Sequence, residues 1–161
     1  MITAESKKLL ARTSSSLAWI AGILLLLPLS AFAALGGDVS SVQADSVHMK
    51  GALRIMNAQA YTVHEIRAES GMVVREFVNA SGKVFAVAFQ GPHVPNWQQL
   101  LGDYFPQFRQ AVQGNRAMNH RVVSIQEPGL VVQAGGHMRS YSGRAYLPDA
   151  IPSGVSADSV R

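Results

Sequence analysis

The sequence predicts an α+β domain with a mostly antiparallel sheet, and three observations point there. Three β-rich runs separated by short Gly-containing gaps lie between residues 60 and 90. One long amphipathic stripe follows them, and then two or three further extended runs. Strands grouped around a single helical stretch build a sheet with the helix on one face. With 161 residues, 48% hydrophobic and 15% charged, the chain has material for one packed core and is too apolar for a disordered segment.

Residues 1–33 read as an address. Lys7, Lys8 and Arg12 form a positive region, Leu17 to Leu29 is an almost unbroken apolar run, and Pro28 and Ser30 break it before Ala31-Phe32-Ala33. This is the pattern of a signal peptide cleaved before Ala34, and it predicts a periplasmic or secreted protein. The competing reading is an uncleaved anchor, since Leu17–Leu35 nearly reaches the ~20 residues a membrane span needs. That would be the chain's one membrane contact. Without its three basic residues and Glu5, the 14 basic and 10 acidic residues drop to a net +2. No Lys/Arg cluster remains, so nucleic acid is not an expected partner.

Residues 34–58 are expected to be a lead-in, for which a short helix or an edge strand would both fit. Ala60–Ala68, Met72–Val78 and Lys83–Gln90 are expected to form a three-stranded meander, with Glu69-Ser70-Gly71 and Asn79-Ala80-Ser81-Gly82 as turns. The third run is apolar on both faces, with Val84, Ala86 and Ala88 alternating with Phe85, Val87 and Phe89. It should therefore be central and covered on both sides.

Asn96 is a suitable N-cap, and Gln99 completes a capping box. Trp97, Leu100, Leu101, Tyr104, Phe105, Phe108 and Val112 mark one helix that ends at Gly114, with a kink near Gly102–Asp103 caused by Pro106. This aromatic stripe is expected to pack as core, a ligand-binding wall being the alternative. Arg121–Ile125 and Leu130–Ala134 predict a hairpin across Glu127-Pro128-Gly129. Gly135-Gly136 should interrupt the pattern before His137–Leu147 resumes it. Residues 59–148 are thus the domain, and 149–161 a tail.

With no Cys, disulfides, thiolate zinc sites, iron–sulfur clusters and Cys nucleophiles are excluded. No cofactor is expected. The stretches YTVHEIRAESGMVVREFV, GKVFAVAFQGP, LLGDYFPQF and GGHMRSYSGRAYLP resemble the family catalogued as domain of unknown function 2844, small exported bacterial proteins. The resemblance runs from about Leu35 to Pro152 and is most specific between Gly135 and Pro148. It implies export and one compact domain, and it transfers no catalytic residue.

Three constellations are candidates for chemistry. If the Glu69-Ser70-Gly71 turn closes symmetrically, His64 faces Glu76 on one side of the sheet and Glu65 faces Arg75 on the other. The first pair is either simple cross-strand pairing or an acid/base dyad in which Glu76 raises the imidazole pKa. His137 is a further candidate base. His48, Met49, Met118, His120, His137 and Met138 are the soft ligands left for copper, although neighbours on a strand point to opposite faces. Gly135 and Gly136 are a possible anion nest, beside Arg139, Tyr141, Arg144 and Tyr146 as ligand-binding residues, or else a bent strand bearing Tyr and Arg along its surface. The leading expectation is a non-enzymatic exported module binding an envelope protein or a small anionic ligand there. The alternatives are a periplasmic enzyme using the His–Glu pair and a copper-binding protein.

Overall fold

The computed structural model describes residues 35–114 and 122–161. The expected leader, together with Met118 and His120, lies outside them. A helix α1 (Val39–His48) leads into strand β1 (Gly51–Asn57). Next come β2 (Tyr61–Ala68), β3 (Val73–Asn79) and β4 (Val84–Gly91). A helical crossover then leads to β5 (Val122–Glu127), β6 (Leu130–His137) and β7 (Ser140–Tyr146). All seven strands join one antiparallel sheet in the order β1-β2-β3-β4-β7-β6-β5. The sheet is larger than three strands plus two or three, because the lead-in contributes β1 and the second group pairs with the first through β4 and β7. The α+β class and the antiparallel pairing are as expected.

β4 is the central strand, and Val84 to Phe89 are all buried. Its faces differ from simple alternation, because the β3–β4 register slips between Phe77 and Val78. This bulge turns Phe85 and Ala86 to the same side. Val84, Val87 and Phe89 therefore join the helix-covered core with Leu100, Leu101 and Phe108, whereas Phe85, Ala86 and Ala88 join a second cluster with Phe77 and Val160.

The long helical stretch is present and is interrupted where a kink was expected, at Gly102–Asp103, but by a sharper break than a bend. α2 (Trp97–Leu101) stops at Gly102, which has φ 49°, a 3-10 turn spans Gly102–Tyr104, and α3 (Phe105–Gly114) restarts the helix. Pro106 consequently sits in the first turn of α3, where its missing N–H costs nothing. Gly102 breaks what Pro106 was expected to bend. The stripe still faces the sheet: Trp97 meets Phe89 edge-on at 5.4 Å between ring centroids and stacks on Phe108 at 5.1 Å. Pairs of this kind add about 0.5–1.5 kcal/mol to their burial.

Two further expectations change. Gly135 and Gly136 do not interrupt β6; they pair with Ser142 and Tyr141 inside the ladder. A Cβ on Gly136 would lie 2.7 Å from Tyr141 Cα, so close backbone approach, not an anion nest, explains the glycine there. Residues 149–161 are not a loose tail either. Val160 is 1% exposed beneath two 3-10 turns, Pro148–Ala150 and Ala157–Ser159, on the sheet face opposite the helices.

Candidate functional site: a polar row on the open face of the sheet

Sheet register places one row of residues straight across all seven strands. Arg54 pairs with Glu65, Glu65 with Arg75 and Arg75 with Ala88. Ala88 in turn pairs with Arg144, Arg144 with Gln133 and Gln133 with Ser124. All face away from the helices, and every member except Ala88 is polar. Arg75 and Arg144 flank this small residue two strand spacings apart, about 10 Å between backbones. They line an open groove of about 770 Å³ together with Gln90, Gln133, Ser142 and the C-terminal residues Asp158, Val160 and Arg161. Its lining carries Arg75, Arg144 and Arg161 against Asp158, an excess of positive charge.

The two strand arginines are held differently. Arg75 donates Nε to Glu65 Oε2 at 2.8 Å, and Arg67 donates Nε to Oε1 at 2.8 Å. Burial alone would raise the Glu65 pKa, but the hydrogen bonds from Arg75 and Arg67 and their charges outweigh it and hold the carboxyl below its usual range. The terminal guanidinium nitrogens of Arg75 have no partner among the described residues. Arg144, by contrast, clamps the C-terminal segment. It gives Nε to Gln133 at 2.9 Å and Nη1 to the carbonyls of Ala157 at 2.8 Å and Val160 at 3.4 Å, and its guanidinium lies 5.7 Å from the Tyr146 ring centre. Its one ionic contact among the described residues, Nη2 to Asp158 at 3.6 Å, is with a carboxylate 90% exposed.

The expected binding residues therefore disperse. Gly135 and Arg144 line the groove, and Tyr146 supports Arg144 from the same face. Tyr141 packs partly buried against the helix-side core. Arg139 is exposed in the β6–β7 turn with φ 65°.

The expected pairings of His64 with Glu76 and of Glu65 with Arg75 are both present in the register. His64 and Glu76 are 6% and 0% exposed beneath the helices and do not line the groove. His64 Nε2 lies 3.2 Å from Thr62 Oγ1, Nδ1 has no partner among the described residues, and burial lowers the imidazole pKa. The expected raising by Glu76 does not occur, because Glu76 is not the anion that role requires. Burial first, then the charge of Asp45 and a hydrogen bond to it, push the Glu76 pKa up to about 9. Asp45, on α1, was absent from the sequence reading, as was Gln99 Nε2 donating to Asp45 Oδ1 at 3.1 Å. Asn96 does cap α2, accepting from the N–H groups of Gln98 and Gln99, but the Gln99 side chain turns to Asp45 instead of closing a capping box.

No group of three or more His, Asp or Glu suited to a metal ion occurs among the described residues. His48 and Met49 end α1 beside edge strand β1, whereas exposed His137 and Met138 lie at the β6–β7 turn. Five strand intervals, about 24 Å, separate β1 from β6. No helix among the described residues is long and apolar enough to cross a membrane.

A family model described as "Protein of unknown function (DUF2844)" matches residues 31–160. Neither the curated proteins nor the solved structures contain a match.

Proposed function

The chain belongs to the domain of unknown function 2844 family, and we propose that it is an exported, non-enzymatic binding protein that takes a small anionic ligand on the open face of its sheet. The observation that carries this reading is the placement of Arg75 and Arg144 on either side of Ala88 in one groove. A carboxylate or phosphate above Ala88 would accept from the terminal nitrogens of Arg75 and would displace exposed Asp158 from Arg144. Guanidinium forks suit such planar, bidentate recognition. Gln90, Gln133 and Ser142 supply neutral donors around them, and Ala88 and Val160 an apolar surface.

Export rests on the Leu17–Leu29 apolar run and the Ala31-Phe32-Ala33 site. N-terminal sequencing of protein recovered outside the cytoplasm should begin at Ala34; a chain beginning at Met1 contradicts cleavage. Ligand class is tested by calorimetric titration of the purified protein with inorganic phosphate and with dicarboxylates. Saturable binding that weakens at least tenfold in Arg75→Gln supports the groove. No binding tighter than about 10 mM, or binding unaffected by the substitution, refutes it. His64 and Glu76 are buried and do not line the groove between Arg75 and Arg144.

A further inference from the structure

Helix α1 is seated on the sheet by polar groups. Its buried residues are Ser41, Val42, Asp45 and Ser46, so a single apolar side chain lies among three polar ones. Asp45 is 1% exposed, and Glu76 beneath it is fully buried. Among the described residues, the elements packed around Glu76 bring no cation to it. β2 places His64 directly opposite, β4 places Val87 opposite, and α2 sends Gln99 to the far oxygen of Asp45. The arginines of β2 and β3 project from the other face.

An ionised carboxylate can only accept hydrogen bonds, and with Asp45 ionised as well no donor among the described residues reaches either oxygen of Glu76. A proton on one carboxyl converts the pair from two repelling acceptors into a donor and an acceptor. We propose that Asp45 and Glu76 hold one proton between them across the contact of α1 with the sheet, and that loss of this proton releases α1. This reading is independent of the ligand groove.

The pH window follows from linkage. Burial and the charge of Asp45 raise the Glu76 pKa while α1 is docked, and release takes away the charge of Asp45 and part of that burial, which lowers the pKa toward the ordinary carboxyl value of 4.5. The docked state therefore binds the extra proton between these limits. Its advantage is complete below about 4.5, is lost as pH rises, and is exhausted at about 9. His64, the other titratable group facing Glu76, is kept neutral by burial and adds no charge across the upper part of this window.

The absence of native Cys makes the test direct. Val42→Cys places a lone thiol under α1, Val47→Cys places one on its 70% exposed side, and Val132→Cys places one in β6, where the native residue is 0% exposed. The labelling rate of Val42→Cys, divided by that of Val47→Cys, cancels thiol ionisation. Between pH 6.5 and 9 this ratio is expected to rise by up to about tenfold per pH unit, while the Val132→Cys ratio stays low. In a Glu76→Gln background, where a permanent amide donor faces Asp45, the rise should disappear. Asp45→Asn is expected to flatten it as well, and it serves if Glu76→Gln fails to fold by circular dichroism. A flat ratio in the unmodified background, an equal rise in the folded variants, or a parallel rise at Val132→Cys overturns the proposal.

Discussion

Arg75 and Arg144 occupy the same row but differ in what they are free to do. Arg75 shares Glu65 with Arg67, so Arg75→Gln leaves that buried carboxylate one cation, should cost about 1–3 kcal/mol, and removes the groove's available fork. Arg144 commits its Nε and Nη1 donors to Gln133, Ala157 and Val160. Arg144→Leu is therefore expected to destabilise the protein by about 1.5–3 kcal/mol, the range for hydrogen bonds to a charged group, and to expose Val160. Urea unfolding would measure the loss. An unchanged midpoint would mean that the C-terminal segment is held by something else. The sequence made Arg144 visible through its crowded Tyr/Arg neighbourhood. It could not show that Arg75 stands across Ala88 from it, because that depends on β7 pairing with β4, more than fifty residues apart in sequence.

Among the elements, the β2–β3 hairpin was the most legible. Its turn and alternation fix the register, and the Glu65–Arg75 and His64–Glu76 pairs follow from arithmetic. Helix α1 was only partly legible: residues 34–58 fitted a short helix or an edge strand, and they form both, but the buried stripe Ser41, Val42, Asp45 and Ser46 has no hydrophobic periodicity to decide between them. Asp45 was hidden with it, and so was the reason that Glu76 is protonated. The crossover was read as a kinked helix because the spacing of its aromatic residues continues across Gly102, even though its backbone does not. With φ at 49°, Gly102→Ala should lower stability by about 1–2 kcal/mol, the cost of left-handed backbone for a residue with a Cβ. A rise in stability would indicate that one continuous helix can form there.

For the molecule at large, the shifted pKa values of buried Glu65, His64 and Glu76, among the described residues, make stability depend on pH. Glu65 is held below its ordinary range, so its contribution is present above about 4.5 and is lost as pH falls below that value. His64 is kept neutral, so stability is lost as pH falls below about 6.5, where the unfolded chain takes up the proton. Glu76 acts in the opposite sense, its contribution being lost as pH rises from about 4.5 toward 9. The sum places the stability maximum between about 4.5 and 6.5, with stability falling on either side of that interval. Thermal melts from pH 3 to 10 should show this mildly acidic maximum, and Glu76→Gln should remove the alkaline decline. A maximum above pH 8 would contradict the assignment of a buried, protonated Glu76.

The open sheet face is the surface on which the functional reading depends, and nuclear magnetic resonance can interrogate it residue by residue. Titration of labelled protein with inorganic phosphate should shift the amides of Arg75, Ala88 and Arg144 together, along one saturation curve, and Arg75→Gln should abolish the shifts. Shifts scattered over the surface, or confined to Arg139 and the β6–β7 turn, would contradict an anion site centred on Ala88.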